Sequence, residues 1–249
     1  MAFALERYCA EIVTQTDLLR SHVTGADPRT RVPTCPDWNL GQLLRHVGWG
    51  HRWIEQSIRT GAPAPNRAGD LDAHTDEDAA HLDGWLAEGA AAFAEALRHN
   101  GPEQPVHVGI PVTAPLFWAR RLTLETAVHR ADAAGAVGAE YVLAPDLAAD
   151  AVDERVQIAE HGAALTMLGP GRSLLFDATD TDAAWFVDLT GEAPAWRHGR
   201  ADAAVTVRGP VTELVLSLYQ RPVREVEVTG DTPLFDEWLH RTGLPRGAS

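Results

Sequence analysis

The sequence contains no lysine; all 21 residues in its Lys-plus-Arg count are arginine. That absence excludes Schiff-base chemistry and a lysine general base. Cysteine is nearly absent too. Cys9 and Cys35 stand alone, which gives neither a disulfide framework nor a Cys-x-x-Cys metal knuckle. Cys9 falls in a helical apolar stripe and reads as core. Cys35 precedes a helix with no cationic neighbour to lower its pKa, so packing within a loop is predicted for it in preference to reactivity. No apolar run approaches the roughly 20 residues that span a bilayer. The first residues lack the charged-then-apolar pattern of a secretory leader and enter an amphipathic helix at once, which predicts a cytoplasmic location. Positive charge is in deficit, 21 basic against 35 acidic residues for a net charge of −14. Nucleic acid and anionic membrane surfaces are therefore poor partners. No Gly-rich phosphate loop follows a strand.

What is present is a chain of 249 residues, 45% hydrophobic and 22% charged, enough for one large domain or two modest ones with sizeable cores. Leu5, Tyr8, Cys9, Ile12, Thr16, Leu19 and Val23 recur at helical spacing and stop before Gly25. Val32–Trp38 holds two prolines and cannot be helix. Asp37 or Asn39 can cap a second helix over 39–60, with Leu40, Leu43, Leu44, Val47, Ile54 and Ile58 on its apolar face. Thr75–Asp78 reads as a capping box for a third helix that runs to about His99. Val106–Pro111 reads as extended, and Pro115 opens a fourth helix. Four amphipathic helices within about 135 residues predict a four-helix bundle, a fold that builds metal sites from facing helices.

The fourth helix carries the chemistry. At about 100° per residue, Phe117, Trp118, Leu122, Leu124 and Val128 form one broad face. Glu125, His129 and Asp132 lie in the middle of that face, with Thr123, Thr126, Ala127 and Arg130 directed outward. Acids and an imidazole in an apolar stripe are costly unless partnered. Glu125 and His129, four residues apart, can converge on one point. A metal ion there and a buried Glu–His hydrogen bond both satisfy them. On the second helix His51 lies about 40° from the stripe's centre and His46 about 100°, so periodicity alone selects His51 as a facing partner.

After Gly138–Pro145 the texture changes. A helix is predicted over 146–167, and strands over 172–177, 185–189, 203–208 and 224–228, with Thr190–Glu192 as a turn. Helices are predicted over 210–219 and 231–241. This mixture predicts a separate α+β unit.

Cys35-Pro-Asp-Trp38, His46 eight residues further on, and Glu125-x-x-x-His129-x-x-Asp132 together resemble the mycothiol-dependent maleylpyruvate isomerase family. The resemblance implies a DinB-like metal-binding four-helix bundle over residues 1–140. A small sterol-carrier-like α/β domain would follow over 145–249. It implies a divalent metal, usually zinc, held by His46, Glu125 and His129, with Asp132 as the nearby acid. Leu214–Arg221 resembles the segment that brings an arginine to the active site, which makes Arg221 a candidate anchor for a substrate carboxylate. The alternative for Arg221 is an arginine on the last carbonyls of its helix. The sequence departs from the family in having Gln220 where glycine usually precedes that arginine. The implied partners are mycothiol, a low-molecular-weight thiol, and a small unsaturated acid. The implied reaction is cis–trans isomerisation by addition and loss of the thiolate. A thiol S-transferase, a metal-dependent hydrolase and a non-catalytic metal- or small-molecule-binding module are the alternatives for the same site. The protein would be a monomer or homodimer.

Overall fold

A computed structural model describes residues 2–65, 79–101, 104–108, 114–160 and 162–243. The chain divides into two compact units, Ala2–Tyr141 and one beginning at Val142.

The first unit contains α1 (Leu5–Val23), α2 (Leu40–Thr60), α3 (Ala79–Asn100) and α4 (Pro115–Val137). Each of α1 and α2 packs against both α3 and α4, so the four form a bundle with α3 and α4 diagonal to one another. Asn39 caps α2 reciprocally: its Oδ1 accepts from the Gln42 amide at 2.9 Å while Gln42 Oε1 accepts from the Asn39 amide at 2.9 Å. This pair satisfies two amides that a helix start leaves open. Gly61 and Gly138 end α2 and α4 in the left-handed region, at φ 64° and 69°, where a Cβ would be strained. The capping box expected at Thr75–Asp78 lies outside the described residues, as does the second half of the extended stretch expected over 106–111.

Packing along the bundle separates into two apolar clusters. One gathers Tyr8, Ile12, Ile54, Phe93, Trp118 and Leu122. The other gathers Leu19, Val32, Trp38, Leu43, Val47 and Leu86. The apolar face expected for α2 is buried throughout. The expectation for α4 needs correction, because Thr123, Thr126, Ala127 and Arg130, assigned outward, are all buried. The reason is that α1 and α2 cover this side, with Thr123 Oγ1 3.4 Å from the Tyr8 carbonyl oxygen and Thr126 Oγ1 2.9 Å from His51 Nε2. Tyr141 closes over the rest. Its hydroxyl donates to the Ala127 carbonyl at 3.0 Å and its ring lies 4.4 Å from the Arg130 guanidinium carbon. Phe117, assigned inward, is 38% exposed. An almost fully enclosed helix has no single apolar stripe to read.

The second unit begins with α5 (Pro145–Glu160) and a short 3-10 helix (Ala163–Met167). One continuous helix was expected over 146–167. The chain leaves helical geometry at Gly162, with φ −145° and ψ −109°. The strands β1 (Ser173–Ala178), β2 (Ala184–Asp188), β3 (Ala195–His198), β4 (Val205–Gly209) and β5 (Glu227–Gly230) form one mixed sheet in the order β3-β2-β1-β4-β5. All neighbours are antiparallel except β1 and β4. β3 was not anticipated, since its Ala195-Trp-Arg-His198 is a short, largely exposed edge with no alternation to mark it. α6 (Val211–Leu218) and α7 (Thr232–Thr242) complete the unit. Phe235 and Trp238 of α7 pack on Phe176 of β1, with ring centroids 6.2 and 6.3 Å away. The expected fold class is therefore what the molecule has: a helical first part followed by an α+β unit with a five-stranded mixed sheet.

One buried polar residue of the bundle has a consequence for stability. His51 is 1% exposed, stacks on Phe93 at 6.1 Å and meets Thr126 Oγ1 through Nε2 at 2.9 Å. Burial pushes its pKa down to about 3. An unfolded chain binds a proton at this histidine below its ordinary value of 6.5, while the folded chain refuses it until about pH 3. The contribution of His51 is thus intact above the unfolded pKa and is lost progressively as pH falls. Urea unfolding at pH 7.5 and pH 5 should show the native protein losing about 2 kcal/mol more than His51→Gln over that interval. Parallel losses in the two proteins would contradict the burial of a neutral imidazole.

Candidate metal centre

The segment between α1 and α2 is held by its own backbone. The Val32 amide donates to the Trp38 carbonyl at 3.1 Å, the Cys35 amide to Val32 at 3.0 Å and the Trp38 amide to Cys35 at 2.8 Å. Pro33 and Pro36 restrict the residues between these bonds. The result is a stiff loop that directs Thr34, Cys35 and Trp38 toward the seam where α2 meets α4.

At that seam the structure brings together His46 from α2 and Glu125, His129 and Asp132 from α4. One donor atom from each of His46, Glu125 and His129 lies within 4.8 Å of the others. His46 Nε2 is 3.2 Å from Glu125 Oε1. The two imidazoles meet edge to face at 5.1 Å, and the Trp38 ring lies 4.7 Å from His46 and 5.9 Å from His129. Both histidines are buried, while the Glu125 side chain remains 33% exposed. The cluster is therefore walled by an indole and reached through its carboxylate. The stripe geometry had placed Glu125 at the centre of the inward face, yet it is the most accessible of the four.

The electrostatics follow from these contacts. Desolvation pushes the Glu125 carboxyl up, but the His46 hydrogen bond and the nearby Arg121 outweigh it and hold it well below the usual carboxylate range. Arg121 Nε lies 3.5 Å from Glu125 Oε2, one helical turn earlier on α4. Burial pushes the His129 imidazole below its ordinary value, against the opposing pull of the Asp132 carboxylate. Near pH 7 the centre thus offers an ionised carboxylate and a neutral His129, the forms in which these groups bind metals.

Behind His129 lies a second layer of contacts. His129 Nδ1 is 2.9 Å from Asp132 Oδ2, and Thr34 Oγ1 donates to Asp132 Oδ1 at 2.6 Å. Cys35 Sγ is 3.7 Å from Asp132 Oδ2. Cys35 is buried, as expected for a packed loop cysteine, and Cys35, His129 and Asp132 also group their donor atoms within 4.8 Å. Sequence reasoning did not assign Thr34, Cys35 or Trp38 to the site individually. The quoted Cys35–Trp38 motif was the available signal. Arg121 was also missed, although its place four residues before Glu125 puts it on the same face.

His51, the choice of periodicity, is not part of this cluster. Its Nε2 turns to Thr126 and its ring to Phe93. In the second unit, Arg221 follows α6 at a helix end. Gln220 adopts φ 58°, the Arg221 amide donates to Leu216 at 2.8 Å, and the Arg221 Nη1 donates to the Tyr219 carbonyl at 2.7 Å. The guanidinium therefore does serve a terminal carbonyl of its helix. Gln220 thus holds a backbone conformation that glycine adopts without strain.

Comparison with known proteins places these observations in a family. The model of the mycothiol maleylpyruvate isomerase N-terminal domain matches residues 9–134, a span that contains every residue of the cluster. Two solved structures share the fold. The crystal structure of the mycothiol-dependent maleylpyruvate isomerase superposes with a TM-score of 0.67 at 14% identity, covering 91% of this chain and 93% of that one. A histidine-to-alanine mutant of that enzyme gives 0.66 at 13% identity, with the same coverage. No curated protein matches the chain. Among the described residues, no helix is long and apolar enough to cross a membrane. The chain belongs to the mycothiol maleylpyruvate isomerase N-terminal domain family.

Proposed function

We propose that this protein is a metal-dependent enzyme that uses a mycothiol-type thiol to isomerise a small unsaturated acid, as maleylpyruvate isomerase does. The observation that carries the reading is the convergence of His46, Glu125 and His129 within 4.8 Å on one seam of the bundle. Ligands about 2.1 Å from a tetrahedral zinc stand about 3.4 Å apart, and the 3.2 Å between His46 Nε2 and Glu125 Oε1 suits that spacing. Two imidazoles and one carboxylate leave a coordination position open, as catalytic zinc sites do. Bound there, the ion would lower the pKa of an incoming thiol and favour its thiolate near neutral pH.

The roles of the chain's own residues follow. His46 and His129 supply nitrogen donors and Glu125 an anionic oxygen. Arg121 beside Glu125 offsets the negative charge gathered at the seam. Trp38 excludes water from one side of both imidazoles, which strengthens the electrostatic interactions there. Asp132 acts on His129, with which it is in contact. Arg221 is assigned to a substrate carboxylate, since without lysine only arginine, histidine or the ion can neutralise an anion. For that role its guanidinium exchanges the Tyr219 carbonyl for the substrate.

The metal reading is tested by elemental analysis. The native protein should carry one divalent ion per chain, and His46→Ala or His129→Ala should each remove most of it. Chelation should abolish cis–trans conversion of an unsaturated acid in the presence of mycothiol, and zinc should restore it. Thiol consumption with a stable adduct would instead make the protein a transferase, and turnover without thiol a hydrolase. Full metal content with none of these activities would leave a binding module.

Arg221→Ala should lower kcat/KM at least tenfold, about 1.4 kcal/mol, with metal content and melting temperature unchanged. Unaltered kinetics would return Arg221 to its helix-end role alone.

A further inference from the structure

The geometry points to Thr34 and Asp132 as positioning residues that fix which nitrogen of His129 faces the metal centre, so that the loop before α2 governs metal affinity. This rests on the reading above that His129 is a ligand. A carboxylate only accepts hydrogen bonds. Asp132, 1% exposed, has the Thr34 hydroxyl 2.6 Å from Oδ1 and His129 Nδ1 2.9 Å from Oδ2. Nδ1 must therefore carry the proton, which leaves the lone pair of His129 on Nε2. Cys35 Sγ, 3.7 Å from Oδ2, adds a weak third donor.

The arrangement has two mechanical consequences. Asp132 lies on the same helix as His129, three residues on, so its pull alone would leave the pair free to turn together. Thr34 belongs to a different element, one held by the bonds between Val32, Cys35 and Trp38. Through Thr34 the carboxylate is referenced to the loop, and the loop's Trp38 indole lies tilted against both imidazoles. The hydroxyl and the indole thus fix the ring's tautomer and tilt from one rigid segment. Partners of this kind typically set metal affinity by 10- to 100-fold.

The alternative use of the same atoms is a second cation site made of Cys35, His129 and Asp132. The hydrogen-bond reading is favoured because the 2.6 Å and 2.9 Å contacts are ordinary donor–acceptor distances in which every partner is already satisfied.

Zinc affinity, measured by competition with a chromogenic chelator, separates these readings, and nitrogen-15 NMR of the metal-free protein reports the His129 tautomer directly. Thr34→Val should weaken zinc binding about tenfold, while Thr34→Ser, which keeps the hydroxyl, should stay near the native value. Asp132→Asn should weaken it further and shift His129 from the Nδ1–H form. Cobalt substituted for zinc should show a perturbed visible spectrum in Thr34→Val but not in Thr34→Ser. Equal affinities in native and Thr34→Val proteins, or equal losses in Thr34→Val and Thr34→Ser, would overturn the positioning role while leaving the metal site standing. Two ions per native chain, one of them lost in Cys35→Ser, would replace it with the second cation site. A native protein that binds no zinc would remove the site and this inference together.

Discussion

Placing two imidazoles and two carboxylates along one seam of a helical bundle is tolerable only when each finds complementary chemistry. That constraint organises the first unit. Asp132 is supplied with donors by His129, Thr34 and Cys35; Glu125 lies against His46 and Arg121. One donor atom from each of His46, His129 and Glu125 also lies within 4.8 Å of the others, and the proposed cation would complete the set. The prolines of the Val32–Trp38 loop, the reciprocal cap at Asn39 and the enclosure of α4 by α1 all hold this seam in place. The chemistry proposed for the protein is a consequence of how those charges are balanced.

His51 and His46 show how two buried histidines on one helix can differ in kind. His51 is held neutral among Phe93 and Thr126, and its imidazole is a packing group with one hydrogen bond. His46, little more than one turn earlier, faces an acid and a second imidazole. Burial is similar at both, so the neighbours decide the difference. A buried base stacked on an aromatic ring with one hydrogen bond is a packing group, whereas one facing a partly exposed carboxylate and another base can serve a ligand.

The helices of the bundle were legible because long amphipathic repeats with proline and glycine boundaries leave a strong periodic signal. Periodicity failed where a helix is covered on several sides. For α4 it assigned Thr123, Thr126, Ala127 and Arg130 outward, because it could not know that α1, α2 and Tyr141 would bury them. For α2 it selected His51, because that helix packs against both α3 and α4 and its buried arc is wider than one stripe. The residues named by family motif, His46, Glu125 and His129, are those that meet. Thr34 could not be singled out from sequence, because its partner Asp132 lies 98 residues away. In the second unit the central strands were visible as short apolar runs, but the exposed edge β3 was not. The break at Gly162 was hidden inside a continuous helical pattern.

The central claim is that His46, Glu125 and His129 share one divalent ion. X-ray absorption at the zinc edge of the purified protein tests it most directly. The account expects a shell of four nitrogen and oxygen neighbours at about 2.0–2.1 Å, including the scattering signature of two imidazoles and no sulfur. Mutation of His46 to alanine should reduce the imidazole count. In protein freed of all low-molecular-weight thiols, a sulfur neighbour near about 2.3 Å would place Cys35 on the metal and contradict the assignment, as would a spectrum of fully hydrated zinc.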